Sequence, residues 1–231
     1  MKRLRFAFLL FLISIVVAQT AREVEITAEP SHHVALENDT VRVFKVEVAP
    51  KTGTLMHRHR HDYFFVSLGD SHISNEVEGK QPVDARFHDA EVRFTEGNFA
   101  HAARDLSDKP FRNVTIELLQ DEKLRRTPSP WPVDEGETAF AGGRSKILLV
   151  KDGVRVSEVN LEPGAVIPSH HHEGPHLVVA LSDLDLRSDL QGGGPLAGED
   201  KAGDVIWVPG GYSHTLTNTG KKAARFLTFE F

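Results

Sequence analysis

Valine-rich segments run from Val41 to Val48, closing on Pro50, and from Val154 to Leu161, closing on Pro163. Neither has the three-to-four-residue apolar spacing of a helix, and both predict strands. Tyr63-Phe64-Phe65-Val66-Ser67-Leu68 and Leu177-Val178-Val179-Ala180-Leu181 are short apolar runs bounded by turn residues, the pattern of strands buried on both faces. Further strands are predicted at 91–94, 111–119, 146–150, 204–208 and 226–231. Gly, Pro, Asn and Asp recur every 8 to 12 residues between these runs, and long amphipathic periodicity is absent. The pattern predicts an all-β protein of sandwiches or barrels.

The strands come in two sets. Shifting the chain by 113 residues without a gap lays Val41-Arg42-Val43 on Val154-Arg155-Val156, Pro50 on Pro163, and Gly79 and Pro82 on Gly192 and Pro195. It also lays Thr115 and Glu117 on Thr228 and Glu230. A repeat of this length is a duplicated domain, not a solenoid unit. Domain 1 is placed at 22–119 and domain 2 at 145–231, each of a size that can hold its own core. Between them, 120–144 is charged and then proline-rich, around Pro128, Pro130 and Pro132, and reads as a linker, with Trp131 available to pin it to a barrel.

The start of the chain has a different character. Lys2, Arg3 and Arg5 precede an unbroken apolar run, Phe6 to Val17, and small residues end at Ala18. This is a secretory signal pattern over 1–18, too short for a spanning helix, and it implies a periplasmic or extracellular protein. Its removal takes three positive charges from a chain of formal net charge -6 and leaves -9. Nucleic acid and anionic membrane surfaces are poor partners for such a chain. With no cysteine, the chain has no disulfides and no thiolate ligands.

The 113-residue shift also superimposes histidines: His57, His59 and His101 fall on His170, His172 and His214. Residues i and i+2 of a strand share a face, so His170 and His172 point into a barrel while His171 points out. His176 and His214 reach the same interior from neighbouring strands, giving a four-imidazole set suited to Fe, Mn, Ni, Cu or Zn. In domain 1, His57, His59 and His101 keep three ligand positions. Tyr63 stands where domain 2 has His176, as a weak fourth ligand, a hydrogen-bond donor or, in the favoured reading, a core aromatic. Strand parity adds His61 to the pocket. Thr115 and Glu117, like Thr228 and Glu230, sit near the ends of last strands beside Arg112 and Arg225. The simpler reading makes them ion pairs on the outside; the alternative has the glutamate orient a ligand histidine or act as a base. His32 and His33 are expected to stay away from the barrel.

Gly164-x5-His170-x-His172-x3-His176 and Gly203-x5-Pro209-x-Gly211-x2-His214-x3-Asn218 resemble the two signature motifs of the cupin superfamily. The resemblance covers roughly 40–231 and implies two cupin barrels, double-stranded β-helices of the jelly-roll type, in tandem. His176 replaces the usual glutamate, which makes domain 2 similar to the all-histidine cupins. Glu96 replaces the motif proline in domain 1, where metal binding is expected to be weaker.

Cupins carry many chemistries, and three are in view. A metal-dependent oxygenase acting on a small organic molecule comes first, because histidine-only ligation leaves the metal charge uncompensated for an anionic substrate. A non-oxidative isomerase, epimerase or lyase is second, with Tyr63, His61, Tyr212 and Glu117 as the groups available to move a proton. A binding module without turnover is third. The chain is expected to be a monomer or a homodimer.

Overall fold

The computed structural model describes residues 23–120 and 136–231. The proposed signal peptide at 1–18 and Trp131 lie outside the described residues, as does most of the expected linker. The end of that linker is not a connector: Glu137–Phe140 is a strand, and Gly143 begins the next.

The first domain contains β1 (Val24–Glu25), β2 (His32–Glu37), β3 (Val41–Val48), β4 (His57–His59), β5 (Tyr63–Ser67), β6 (Ser71–Val77), β7 (Val83–Phe87), β8 (Val92–Thr95), β9 (Phe99–Asp105) and β10 (Phe111–Leu118). The second contains β11 (Glu137–Phe140), β12 (Gly143–Lys151), β13 (Val154–Leu161), β14 (Val166–His172), β15 (His176–Ala180), β16 (Leu184–Leu190), β17 (Pro195–Asp200), β18 (Val205–Val208), β19 (Tyr212–Asn218) and β20 (Ala224–Glu230). Strands β3 to β10 and β13 to β20 correspond one for one under the 113-residue shift. Each domain is two facing sheets: β1-β4-β9-β6-β7 over β2-β3-β10-β5-β8, and β14-β19-β16-β17 over β11-β12-β13-β20-β15-β18.

The unbroken apolar runs are explained by burial on both faces. In β5, Tyr63 and Phe65 point into the first barrel, whereas Phe64 and Val66 are fully buried on the other side. They meet the second domain there. Val41, Val43, Phe64, Val66, Ile116 and Leu118 form one core with Val154, Val156, Leu177, Val179, Leu227 and Phe229, and the Phe64 and Phe229 rings meet edge-on at 5.4 Å. Each barrel has its own interior core as well, built around Phe44, Ile73 and Phe111 in the first and Leu161, Leu184 and Phe226 in the second. The duplicated sheets therefore share an apolar layer in addition to the core each domain was expected to hold.

Gly97 and its counterpart Gly210 are needed for close approach. A side chain at Gly97 would stand 2.5 Å from the backbone of His61, and one at Gly210 would stand 2.4 Å from that of Gly174. The loops beside the two histidine clusters can close only with glycine at these positions.

Candidate metal centres

Strands β4 and β9 bring the first cluster together. They pair antiparallel with His57 opposite His101, and His57 and His59 share the inward face two residues apart. Strands β14 and β19 repeat the arrangement, with His170 opposite His214 and His172 opposite Tyr212. In each barrel the three ring nitrogens lie within 4.8 Å of one another.

The hydrogen bonds behind the rings decide which nitrogens face inward. His57 Nδ1 donates to the Leu55 carbonyl at 2.8 Å, and His101 Nδ1 donates to Asn75 Oδ1 at 2.6 Å. Because Nδ1 carries the proton in both, Nε2 carries a lone pair toward the cluster. His59 Nδ1 lies 3.9 Å from Glu117 Oε1, the nearest acceptor behind that ring. In the second barrel His170 Nδ1 donates to the Pro168 carbonyl at 2.8 Å, His214 Nδ1 bonds Ser188 Oγ at 2.6 Å, and His172 Nδ1 lies 3.6 Å from Glu230 Oε1. The hydrogen bonds behind the first and third rings correspond position by position, and a glutamate stands behind the middle ring of each cluster beyond hydrogen-bond distance.

The inward nitrogens fit one divalent ion. His59 and His101 Nε2 are 3.1 Å apart, His172 and His214 Nε2 3.2 Å, and His170 and His214 Nε2 3.0 Å. Adjacent ligands with metal–nitrogen bonds of about 2.1 Å stand about 3.0–3.4 Å apart, so these spacings suit a shared ion. His57 Nε2 is buried without a partner, as a ligand awaiting a cation would be. Burial lowers His57 and His214 to about 4 and His101 to about 3, and it also lowers His59 and His170. The imidazoles are thus held in the neutral form that coordinates.

No protein-family profile and no curated protein matches the chain. Solved structures do. An oxalate decarboxylase studied for proton-coupled electron transfer superimposes over 86% of this chain and 71% of its own, with a TM-score of 0.62 and 14% identity. Oxalate decarboxylase from Bacillus subtilis, in work on its Mn(II) centres and in a structure at pH 4.6, superimposes over 90% of this chain with a TM-score of 0.61, again at 14% identity; the match covers 76% and 75% of those chains. The fold is cupin-like. Oxalate decarboxylase is itself a bicupin.

The two cupin-like barrels treat the remaining predicted residues differently. His176 stands apart from the nitrogen cluster: its ring stacks on His172 at 4.2 Å, and its buried Nδ1 has no partner. Tyr63 takes the same place in the first barrel, stacked on His59 at 4.2 Å, and burial pushes its hydroxyl up to about 12. His61 lies in the bend after β4 and does not line the cavity, because the strand ends at His59 and parity no longer applies. Tyr212 lines the second cavity between His172 and His214.

The outside ion-pair reading holds for the arginines but not for the glutamates. Arg112 pairs with Glu47 and Arg225 with Glu158 at the surface, whereas Glu117 is 1% exposed and faces the barrel interior, as Glu230 does. Register explains the error: Glu117 is opposite Arg42 on β3 and Tyr63 on β5, both on the interior face. The surroundings of the two glutamates differ. Arg155 reaches Glu230 at 2.6 Å; burial raises that carboxyl, but His172 and Arg155 outweigh it and hold it below its ordinary value. Arg42 is drawn toward Glu37 at 2.8 Å and comes no nearer to Glu117 than 3.4 Å, so burial dominates and raises Glu117 to about 7.

His32 is the residue that sequence reasoning missed. Strand β2 pairs with β3, and this places His32 in the first cavity, its ring 4.6 Å from that of His57. His33 points outward and is exposed. The signal was available: a histidine two residues after Pro30, within reach of a sheet edge, with Glu29 close before it.

Proposed function

We propose that this protein is an exported, metal-dependent enzyme whose second barrel oxidises a small organic substrate with dioxygen. The observation that carries the reading is the convergence of the His170, His172 and His214 nitrogens, two of the rings held from behind by hydrogen bonds, at the wall of a cavity of about 1020 Å³. A divalent Fe, Mn, Ni, Cu or Zn ion held there supplies Lewis acidity and, for the redox-active members of that set, electron exchange with dioxygen. The chain supplies the rest. Ile147, Val159, Ile167, Val178, Leu184 and Phe226 line the cavity, so the body of the substrate is apolar and its burial excludes water. Tyr212, Glu230 and the histidines gather at one side and orient a single polar or anionic end. Oxalate, the substrate named for the similar structures, is a two-carbon dianion and would leave most of that wall uncovered. A diketone, phenolic or flavonol substrate fits the lining better.

The test is oxygen uptake by the exported form loaded with Fe(II), Mn(II) or Cu(II), against panels of those three classes. Uptake that disappears in His172→Ala supports the reading, and none with full sites refutes it. A second reading, a non-oxidative isomerase, epimerase or lyase, is favoured by Tyr212, a residue able to donate a proton whose ring packs against His172 and His214 in the cavity. Turnover retained with Zn(II) in anaerobic buffer selects it.

A further inference from the structure

Four phenylalanines pack inside the first barrel and have no counterpart in the second. They are Phe44, Phe65, Phe87 and Phe111, and the rings of the last three lie 4.7, 6.1 and 6.4 Å apart. Under the 113-residue shift they fall on Ser157, Val178, Asp200 and Ala224, while one ring, Phe226, is gained in place of Asn113. The exchange matches the difference in cavity volume, about 1020 Å³ in the second barrel against about 290 Å³ in the first. Ser157, Val178 and Ala224 are the small neutral side chains that a wider cavity requires. Asp200 is not of that kind, because it sets a carboxylate on the cavity wall.

Register places Asp200 at the end of the cavity away from the histidines. On β16, Leu190 stands opposite His214, and Leu184 stands opposite Asp200 of β17. Leu184, Leu186, Ser188 and Leu190 all line the cavity, so the His214 and Asp200 rows are separated by about 20 Å along the strand. Leu186 and Leu216 make the wall between them apolar. The carboxylate leans along that wall, since a side chain at Gly198, the next inward position of β17 toward the histidines, would stand 3.6 Å from Asp200 Oδ2. Glycine there leaves the approach to the carboxylate open. Among the described residues no cation or hydrogen-bond donor reaches it: Lys201 pairs with Asp183, and Lys45 with Asp204. Burial, and then the charge of Asp204, raise this carboxyl above its ordinary value, a cost that a donor on a ligand would relieve.

We propose that Asp200 is a specificity residue of the second cavity, accepting a hydrogen bond from a hydroxyl at the far end of an elongated ligand whose other polar end faces His170, His172 and His214. The inference rests on reading the second barrel as the substrate site, and it narrows the substrate class. A short diketone or a single-ring phenol cannot touch both ends of such a cavity. A multi-ring phenol can, with its rings against the apolar wall and a hydroxyl on the ring remote from the group that faces the histidines. The hydrogen bond to Asp200 is charge-assisted and shielded from water by those rings, so it discriminates strongly between ligands with and without that hydroxyl. The first barrel has no such discrimination to offer, because Phe87 stands at the corresponding position.

The test is calorimetric binding to the full chain loaded with Zn(II), which has no redox chemistry and so allows binding without oxidation. Two probes are compared: an unsubstituted flavonol, and one carrying a single hydroxyl on the ring remote from its ketone and enol. The hydroxylated probe is expected to bind about tenfold more tightly. Asp200→Ala should erase that preference and leave the affinity for the unsubstituted probe unchanged, with folding checked by circular dichroism. Asp200→Phe, which restores the side chain of the first barrel, should abolish binding of both probes while the Zn(II) content stays the same. Equal affinities in the unmodified chain, or a preference that survives in Asp200→Ala, overturn the proposal. If Asp200→Ala misfolds, Asp200→Asn is judged instead, and an undiminished preference there overturns it equally. Binding of neither flavonol also overturns it, whereas oxygen uptake with the diketone and single-ring phenolic panels still decides the proposed function.

Discussion

The two barrels share their histidine clusters almost atom for atom yet differ in what surrounds them. The tethers correspond: a backbone carbonyl behind the first histidine, a glutamate behind the second, and Asn75 or Ser188 behind the third. The difference comes from the strand added before each domain. In the first, β2 contributes His32 to the interior and Glu37 to Arg42; in the second, β12 places Ser145 and Val150 at the corresponding positions. One barrel is filled and the other keeps a cavity more than three times larger. The three grouped histidines are the same in both barrels, and the strand laid across them is not.

Substitutions within the clusters should separate the barrels most strongly. His172→Ala removes one of the three inward nitrogens of the open site, and we expect loss of its ion and of all oxygen uptake. His59→Ala should cost one bound ion per chain and leave uptake intact. Elemental analysis beside an oxygen electrode checks both, and uptake lost equally in the two variants would end the division of labour. On stability the barrels should behave as one body. Phe229 is fully buried in the layer between them, so Phe229→Ala should cost about 3–5 kcal/mol and destabilise both domains together. Calorimetry that resolved one shifted and one unshifted transition would contradict this.

How much of this could be read in the sequence follows from how local each signal is. The repeat, the strands and the histidine pairs His57/His59 and His170/His172 depend on period-two parity and a fixed offset, both visible along the chain. The inward turn of Glu117 and Glu230 depends on register against β3 and β13, and a sequence does not show which face a last strand presents. His32 was hidden for a related reason. It acts through a pairing between β2 and β3 that no hydrophobic pattern announces, since β2 is mostly partly or fully exposed. His176 was assigned to the cluster by its spacing; its own ring stacks on His172, and the three grouped nitrogens are those of His170, His172 and His214.

Acid should expose a subtler contrast in the metal-free protein. His57 and His101, at about 4 and 3, and His176 and His214, at about 4, all lie below the ordinary value of about 6.5, mainly through desolvation. The unfolded chain therefore binds more protons below about pH 6.5, and stability falls as pH drops from there toward 4. Glu117 has the opposite sign. Raised to about 7, it stabilises most below its unfolded value near 4.5, and that contribution is lost as pH rises through 7. It offsets the histidines of the first barrel over that window, whereas Glu230, held low, gives the second barrel no such offset. Glu117→Gln should therefore steepen the loss of stability between pH 7 and 4.5, measured by denaturant midpoints, and Glu230→Gln should not. Equal slopes in the two variants would place both carboxyls in the same state.

The smallest effect tests whether the shared tethers do equal work. Asn75 accepts from His101 Nδ1, which fixes that proton and presents Nε2 to the ion; alanine there leaves a buried N–H without an acceptor. Ser188 is less strict, because a hydroxyl can donate or accept and Ser188 lines a cavity more than three times larger than the one Asn75 lines. Water can replace Ser188 from the open cavity but has little room to replace Asn75. Asn75→Ala should thus weaken Zn(II) binding in the first barrel by about tenfold or more, and Ser188→Ala in the second by less than that. If the order were reversed, the smaller cavity would not be what makes the first barrel the stricter site.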